Sequence, residues 1–227
     1  MEYGQFCPVA KAMELLGERW TILVLRELHM GATRFSELQR GLCLISPTIL
    51  TKRLNDLASA ELVLRKRISG QRGYEYFLTE AGRETLPLII AIGQWGMRYA
   101  RGDLRDTDMN VELLMLYLQR SVRPDKLPGG QSVIRFRFTD LEKLNNWWLI
   151  VKNDNVDICL EDPGKEVDVY FTTDLRTMID CWMGDASYRS AIADKRLNLV
   201  GPSALTRNVQ SWLSDSVFAG IRPAREI

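Results

Sequence analysis

Apolar positions recur at two different periods along this chain, and the change of period divides it in two. In the first hundred residues helical spacing dominates. Residues 8–16, PVAKAMELL, predict a helix that Gly17 ends. Residues 18–30, ERWTILVLRELHM, predict a second, with Trp20, Leu23, Val24 and Leu28 inward and Gly31 as a stop. FSELQRGL (35–42) predicts a short third helix. A fourth runs from Ser46 to about Ala60. Leu50, Leu54 and Leu57 fall at i, i+4, i+7 and mark its buried face. Ser46 suits the cap, and Pro47 suits the first helical position, where a missing donor costs nothing. The opposite face carries Thr48, Thr51, Lys52 and Asn55.

The period then shortens. Leu62, Leu64 and Lys66 alternate with Val63, Arg65 and Arg67, SGQRG makes a turn, and YEYFL returns, which predicts a β-hairpin with a basic tip. A long helix follows from about Glu80 to Ala100, capped by Thr79 and expected to kink at Pro87. Its apolar residues Leu86, Ile89, Ile90, Ile92, Trp95 and Met97 cover more than one domain face needs, so a partner helix is expected.

RGDLRDTDMN (101–110) reads as a linker between a domain at 1–100 and one at 111–227. Beyond it come a helix (111–119) and four strands (133–138, 147–151, 156–160, 167–171). Ile134/Phe136/Phe138, Val156/Ile158/Leu160 and Val167/Val169/Phe171 alternate as half-buried strands do. Helices at 174–184 and 187–196, a short strand LNLVG and a helix at 202–213 close the chain. The expected fold is therefore two domains. The first is mainly α, a winged helix-turn-helix with a two-stranded wing. The second is α+β, an antiparallel-type sheet covered by helices.

Composition narrows the function. An apolar fraction of 46% with 26% charged residues is that of a soluble globular protein. No apolar run approaches a membrane span and the N-terminus lacks a secretory pattern, so a cytoplasmic protein with no membrane partner is expected. Residues 1–100 hold 13 basic and 10 acidic side chains, whereas 101–227 hold 17 and 19. The positive excess of the first half falls within 52–83, a mild lean toward a polyanion. Cys7, Cys43, Cys159 and Cys181 form no C-x-x-C pair, so no metal site is expected; the last three read as core thiols. The single histidine, His29, lies at a helix end, where a positive imidazole suits the dipole. No serine elbow, P-loop or dinucleotide fingerprint is present, and neither an enzyme nor a cofactor is expected.

Two short helices followed by a basic hairpin are suited to DNA, since a helix matches the width of the major groove. Thr48, Thr51, Lys52 and Asn55 can address base edges and phosphates, with Ser46 at the same helix end. Arg53 borders that face and is expected at the DNA backbone. Arg67 and Arg72, near the hairpin tip, can reach phosphates or the minor groove. Arg34 and Ser36, opening the third helix, can hold a phosphate on its N–H groups. On the residues alone, that face is either solvated surface or a DNA contact, and the basic hairpin favours the second.

Residues 7–100 resemble the HxlR family of bacterial winged-helix transcriptional regulators, a branch close to MarR. The stretches concerned are CPVAKAMELLGERWTILVLREL, RFSELQRGL, ISPTILTKRLNDLASAELV, RISGQRGYEYFLTEAG and LIIAIGQW. The resemblance implies homodimers paired through the flanking helices, with two recognition helices in successive major grooves about 34 Å apart. By this resemblance the fourth helix is the recognition helix. Cys7 falls where the family often has a cysteine, which some members use as a sensor of oxidants or electrophiles. Lys11, one turn on, is placed to support a thiolate. The alternative is a small residue packed at a dimer edge.

The second half is similar to the sterol-carrier-protein lipid-binding domain through LRTMIDCWMGDASYRSAIADKRLNLVGPSALTRNVQSWL and the preceding sheet. This similarity implies a cavity for an apolar small-molecule effector. Phe136, Phe138, Trp147, Trp148, Met178, Ile179 and Trp182 are its candidate lining; the alternative is that they form a solid core. Three functions stand open. The chain is a ligand-sensing regulator, a regulator whose second domain only strengthens the dimer with Cys7 as sensor, or a lipid carrier with a winged-helix interaction module.

Overall fold

The computed structural model describes residues 2–100 and 105–224. Residues 101–104, which open the expected linker, lie outside the described residues. Contacts cluster into two units, one up to Trp95 and one from Gly96.

The N-terminal unit is built from α1 (Pro8–Leu16), α2 (Thr21–His29), α3 (Phe35–Gly41), α4 (Pro47–Ser59), β1 (Val63–Arg67), β2 (Tyr74–Leu78), α5 (Glu80–Arg83) and the start of α6 (Leu86–Tyr99). Its core gathers Val24, Leu25 and Leu28 of α2, Leu38 of α3, and Leu50, Leu54 and Leu57 of α4, with Val63 and Tyr76 from the hairpin. The apolar stripes read from the sequence are thus the surfaces that meet. Two details differ. Trp20 takes a left-handed backbone (φ 79°), so α2 starts only at Thr21; in that register Leu25 is buried and Leu23 is 37% exposed. The single kinked helix expected from Glu80 is two helices. Pro87 is the second residue of α6, where its missing N–H is one the helix cannot use, so it starts a helix rather than bending one.

The C-terminal unit opens with α7 (Val111–Ser121) and continues through β3 (Gln131–Phe138), β4 (Asn146–Lys152), β5 (Asn155–Cys159), β6 (Val169–Thr173), α8 (Leu175–Met183), α9 (Tyr188–Ala193), β7 (Leu197–Val200), α10 (Ser203–Thr206) and α11 (Val209–Trp212). The strands order as β5-β4-β3-β6-β7. Three pairings are antiparallel, but β3 and β6 run parallel, so the sheet is mixed. The alternation of apolar residues cannot reveal that crossover, because it is the same in either direction. The fourth strand begins two residues later than expected, and Leu160 lies past the end of β5 and is exposed. The helix expected over 202–213 is two four-residue turns. One face of the sheet presents Ile134, Phe136, Phe138, Trp147, Leu149, Val169 and Phe171 to α7, α8, α9 and α11. Among the described residues, no helix is long and apolar enough to cross a membrane.

Candidate nucleic-acid interface

The start and orientation of α4 are fixed before any ligand is considered. The Ser46 hydroxyl accepts the Ile49 N–H at 3.3 Å and caps the first turn. Leu50, Leu54 and Leu57 are 0, 1 and 2% exposed and hold one side against the core. Thr48, Lys52 and Asn55 therefore project outward together, all exposed. Thr51 is exposed too, but its hydroxyl donates to the Pro47 carbonyl at 2.8 Å. It keeps only accepting lone pairs and a methyl for a partner. Sequence reasoning passed over two apolar neighbours of this face: Ile49, 40% exposed on the first turn, and Leu44, 90% exposed just before the cap. Their residue type suggested core; only exposure separates them from it.

Arg53 is a correction. It is 8% exposed and donates to Asp56 at 2.8 Å and to Glu18 at 3.1 Å. Three residues from Leu50 and one from Leu54, it falls on the inward side of a 3.6-residue helix. It braces α4 internally and is not among the outward groups.

The hairpin is tied to the helices. Tyr76 N donates to the Thr33 carbonyl at 2.8 Å, and Arg34 Nε lies 3.9 Å from Glu75. Its tip is closed by Ile68 N to the Gly73 carbonyl (3.2 Å), with Gly70 and Gly73 at φ 71° and 120°. A side chain at either position would be strained. Arg67 and Arg72 flank this turn and are exposed, as are Arg65 and Lys66. Arg65 stacks its guanidinium 3.5 Å from the Tyr74 ring centre, which stiffens the base of the tip.

The phosphate cradle expected at Arg34 and Ser36 is already partly used. Ser36 is exposed, but the Glu37 carboxylate accepts the Thr33 and Arg34 N–H groups at 2.8 and 3.0 Å. Burial pushes Glu37 up, yet those two amides and the nearby Arg34 and Arg40 cations outweigh it and take the group below its ordinary range. A second anion at that helix start meets a carboxylate already in place. Behind it, the fully buried Glu27 accepts from Arg26 Nε and Nη2 at 3.0 and 2.8 Å, and Arg26 also reaches the Gly41 carbonyl at 3.2 Å. A methyl at Gly41 would strike the Glu27 carboxylate. This network fixes how α3 crosses α2.

Three more expectations change. Lys11, the expected support for a Cys7 thiolate, is paired with Glu14 at 3.0 Å; the N–H groups of Ala10 and then Val9 are what draw the Cys7 thiol below its ordinary value. Cys43 and Cys159 are half-buried, and only Cys181 lies in the core. His29 is shifted away from the positive form expected at a helix end: burial lowers its pKa, against a Gly82 backbone contact that raises it, and its Nε2 lies 3.0 Å from the Thr85 hydroxyl.

The expected apolar lining of the second unit falls mostly within its buried hydrophobic cluster. Phe136, Phe138, Trp147 and Met178 are buried within it, and Ile179 and Trp182 pack against its edge. Phe136 stacks on Phe171 at 4.6 Å, which meets Trp212 edge-on at 6.1 Å. Trp148 is not part of it. Adjacent strand residues face opposite ways, so Trp148 points from the other side of the sheet, with Arg135 5.4 Å from its ring.

Residues 15–103 match the HxlR-like helix-turn-helix family. A transcriptional regulator of the helix-turn-helix type from Methanothermobacter thermautotrophicus is 36% identical over 94 residues, 41% of this chain and 72% of that protein. YvaP of Bacillus subtilis, named likewise, is 32% identical over 101 residues, 44% of this chain and 94% of YvaP.

The chain belongs to the HxlR-like helix-turn-helix family.

This HxlR-like chain also carries, over residues 113–214, a match to the SCP-2 sterol transfer family. Mb3122 of Mycobacterium bovis, another HTH-type transcriptional regulator, is 45% identical over 92 residues, 40% of this chain; the match spans 58% of the length of that relative. The solved reduced form of the transcriptional regulator YodB from B. subtilis is 28% identical, over 44% of this chain and 100% of that one, with a TM-score of 0.38.

Proposed function

We propose that this HxlR-like regulator binds operator DNA as a homodimer through the outward face of α4, with the hairpin tip on the flanking backbone. Thr48, Lys52 and Asn55 address base edges or phosphates in the major groove, and Arg67 and Arg72 reach phosphates or the minor groove. The observation that carries this reading is one exposed polar helix face, braced from behind by Leu50, Leu54 and Arg53, beside a glycine-closed basic turn. Exposed apolar side chains support the second copy. Phe6 (99%) and Val9 (70%) stand out around α1, and Leu88 (50%) and Ile92 (53%) lie one turn apart on α6. Neither α4 nor the hairpin carries a catalytic constellation.

The second unit, matched to a sterol transfer family, is the binding half for a small amphiphile or apolar effector. Such a ligand changes DNA affinity only by as much as it prefers one arrangement of the dimer over another. The experiment is anisotropy of labelled DNA from upstream of the protein's own gene, titrated at several salt concentrations. Saturable binding that weakens on Lys52→Ala and Asn55→Ala supports the reading. Equal affinity in the wild type and both variants removes it.

A further inference from the structure

Within the outward face of α4, one row of side chains differs chemically from the rest. Pro47, Thr51 and Asn55 follow one another at i, i+4, i+8 and so line up along the helix. All three are exposed. We propose that Thr51, with the Pro47 ring beside it, reads the 5-methyl group of a thymine in the major groove. This rests on the reading of α4 as the DNA-facing helix, and it names a base that the helix selects.

The first argument is what the start of this row is unable to do. The Thr51 hydroxyl donates to the Pro47 carbonyl at 2.8 Å, so its one proton is spent inside the helix. Pro47 has no N–H and presents only ring methylenes. Neither residue has a hydrogen to donate to a base edge. The same bond selects one Thr51 rotamer and so fixes the direction of its methyl. Guanine O6 and N7 call for donors, which Lys52 and Asn55 keep. Thymine presents a methyl in the major groove, and a threonine methyl is a fitting contact for it.

The second argument is the surroundings. Leu44, just before the cap, is 90% exposed, and Ile49, on the first turn, is 40% exposed. Exposed apolar groups gathered at one end of a helix suit a partner with apolar groups of its own. The charge on α4 says which partner. Lys52 is exposed, and the one acidic residue of the helix, Asp56, is tied to Arg53 at 2.8 Å. Apolar contacts beside an exposed cation suit a polyanion that carries methyl groups, which is what a thymine-bearing major groove offers.

The test uses the full chain and the duplex it enriches from a random library. Deoxyuridine replaces thymine at one symmetric pair of positions at a time, which removes the methyl and leaves the pairing edge unchanged. At one such pair the wild type should lose affinity about 15-fold, about fourfold for the methyl lost in each of two half-sites. Thr51→Ser keeps the hydroxyl and lacks the methyl. It should bind the thymine duplex about 15-fold more weakly than the wild type and no longer distinguish uracil there. Thr51→Val keeps a methyl and has no oxygen, and it should retain both the affinity and the discrimination. Loss in Thr51→Val as large as in Thr51→Ser assigns the contact to the hydroxyl oxygen and overturns the proposal. So does a selected half-site without thymine, or wild-type affinity unchanged by uracil at every position. These results leave α4 a DNA-facing helix. Absence of saturable binding to any duplex overturns that reading as well. The uracil series needs only the wild-type protein, so it decides the matter even where a variant fails to fold.

Discussion

Arg53 and Lys52 are neighbours in sequence and opposites in structure, and the contrast gives a quantitative prediction. Arg53 is held by Asp56 and Glu18, whose side chains stay 51% and 40% exposed. Arg53→Met keeps most of the stem and removes both ion pairs. With partners this open to water, the two pairs together are worth about 1 kcal/mol. Loss of the unpartnered Arg53 Nε offsets part of that. The melting temperature should fall by less than about 5 °C, which is the shift that about 1 kcal/mol gives a unit of this size. DNA affinity at fixed temperature should hold, and so should its salt slope. Lys52→Ala should do the reverse: little change in melting, and a slope shallower by about 1.8 if each protomer of the homodimer loses one phosphate contact. Between 50 and 200 mM salt that difference is about 12-fold in relative affinity. The assay is anisotropy on one DNA duplex at four salt concentrations, with melting curves on the same samples. A salt slope that drops in Arg53→Met and holds in Lys52→Ala would refute the assignment of inside and outside on α4.

Gly41→Ala should destabilise the N-terminal unit by about 1–3 kcal/mol, because the new methyl meets the buried Glu27 carboxylate; thermal denaturation measures it. His29 has its pKa lowered in the fold by burial, so the unfolded chain binds the proton more readily. Its contribution to stability is complete above the unfolded value near 6.5 and is lost as pH falls from there through the folded value. Melting temperatures at pH 7.5 and 5.5 should therefore differ less in His29→Gln than in the wild type. Among the thiols, iodoacetamide at pH 8 should label Cys7 well before Cys181, since the Cys7 thiol is lowered by backbone amides and Cys181 is pushed up to about 11 by burial. Peptide mass spectrometry after timed quenching reads the order, and equal rates would contradict it.

The N-terminal unit was legible because its signals are local. A capped helix with leucines at i, i+4, i+7 and a hairpin closed by glycines each declare themselves within a dozen residues. What failed there depends on neighbours distant in sequence. Arg53 reads as a surface cation until Glu18, thirty-five residues earlier, is brought beside it. Thr51 reads as a free hydroxyl until its bond to the Pro47 carbonyl is seen. The second unit was less legible for the same reason. Its parallel β3–β6 pair joins segments thirty-five residues apart, and strand alternation carries no sign of direction. Trp147 and Trp148 look like one aromatic wall in sequence, yet the pleat sends them to opposite faces. Nothing in SYRSAIADKR or PSALTRNVQSWL shows that Tyr188 of α9 and Val209 of α11 join one buried cluster.

The central claim, that the outward face of α4 reads DNA sequence, is tested most directly by selecting bound duplexes from a random library with the wild type and with Asn55→Ala. The wild type should recover an inverted repeat with half-sites about one helical turn apart. Asn55→Ala should recover the same spacing with base preference lost at one symmetric position in each half-site. Recovery of an identical motif by both proteins, or no enrichment by the wild type, would contradict the claim.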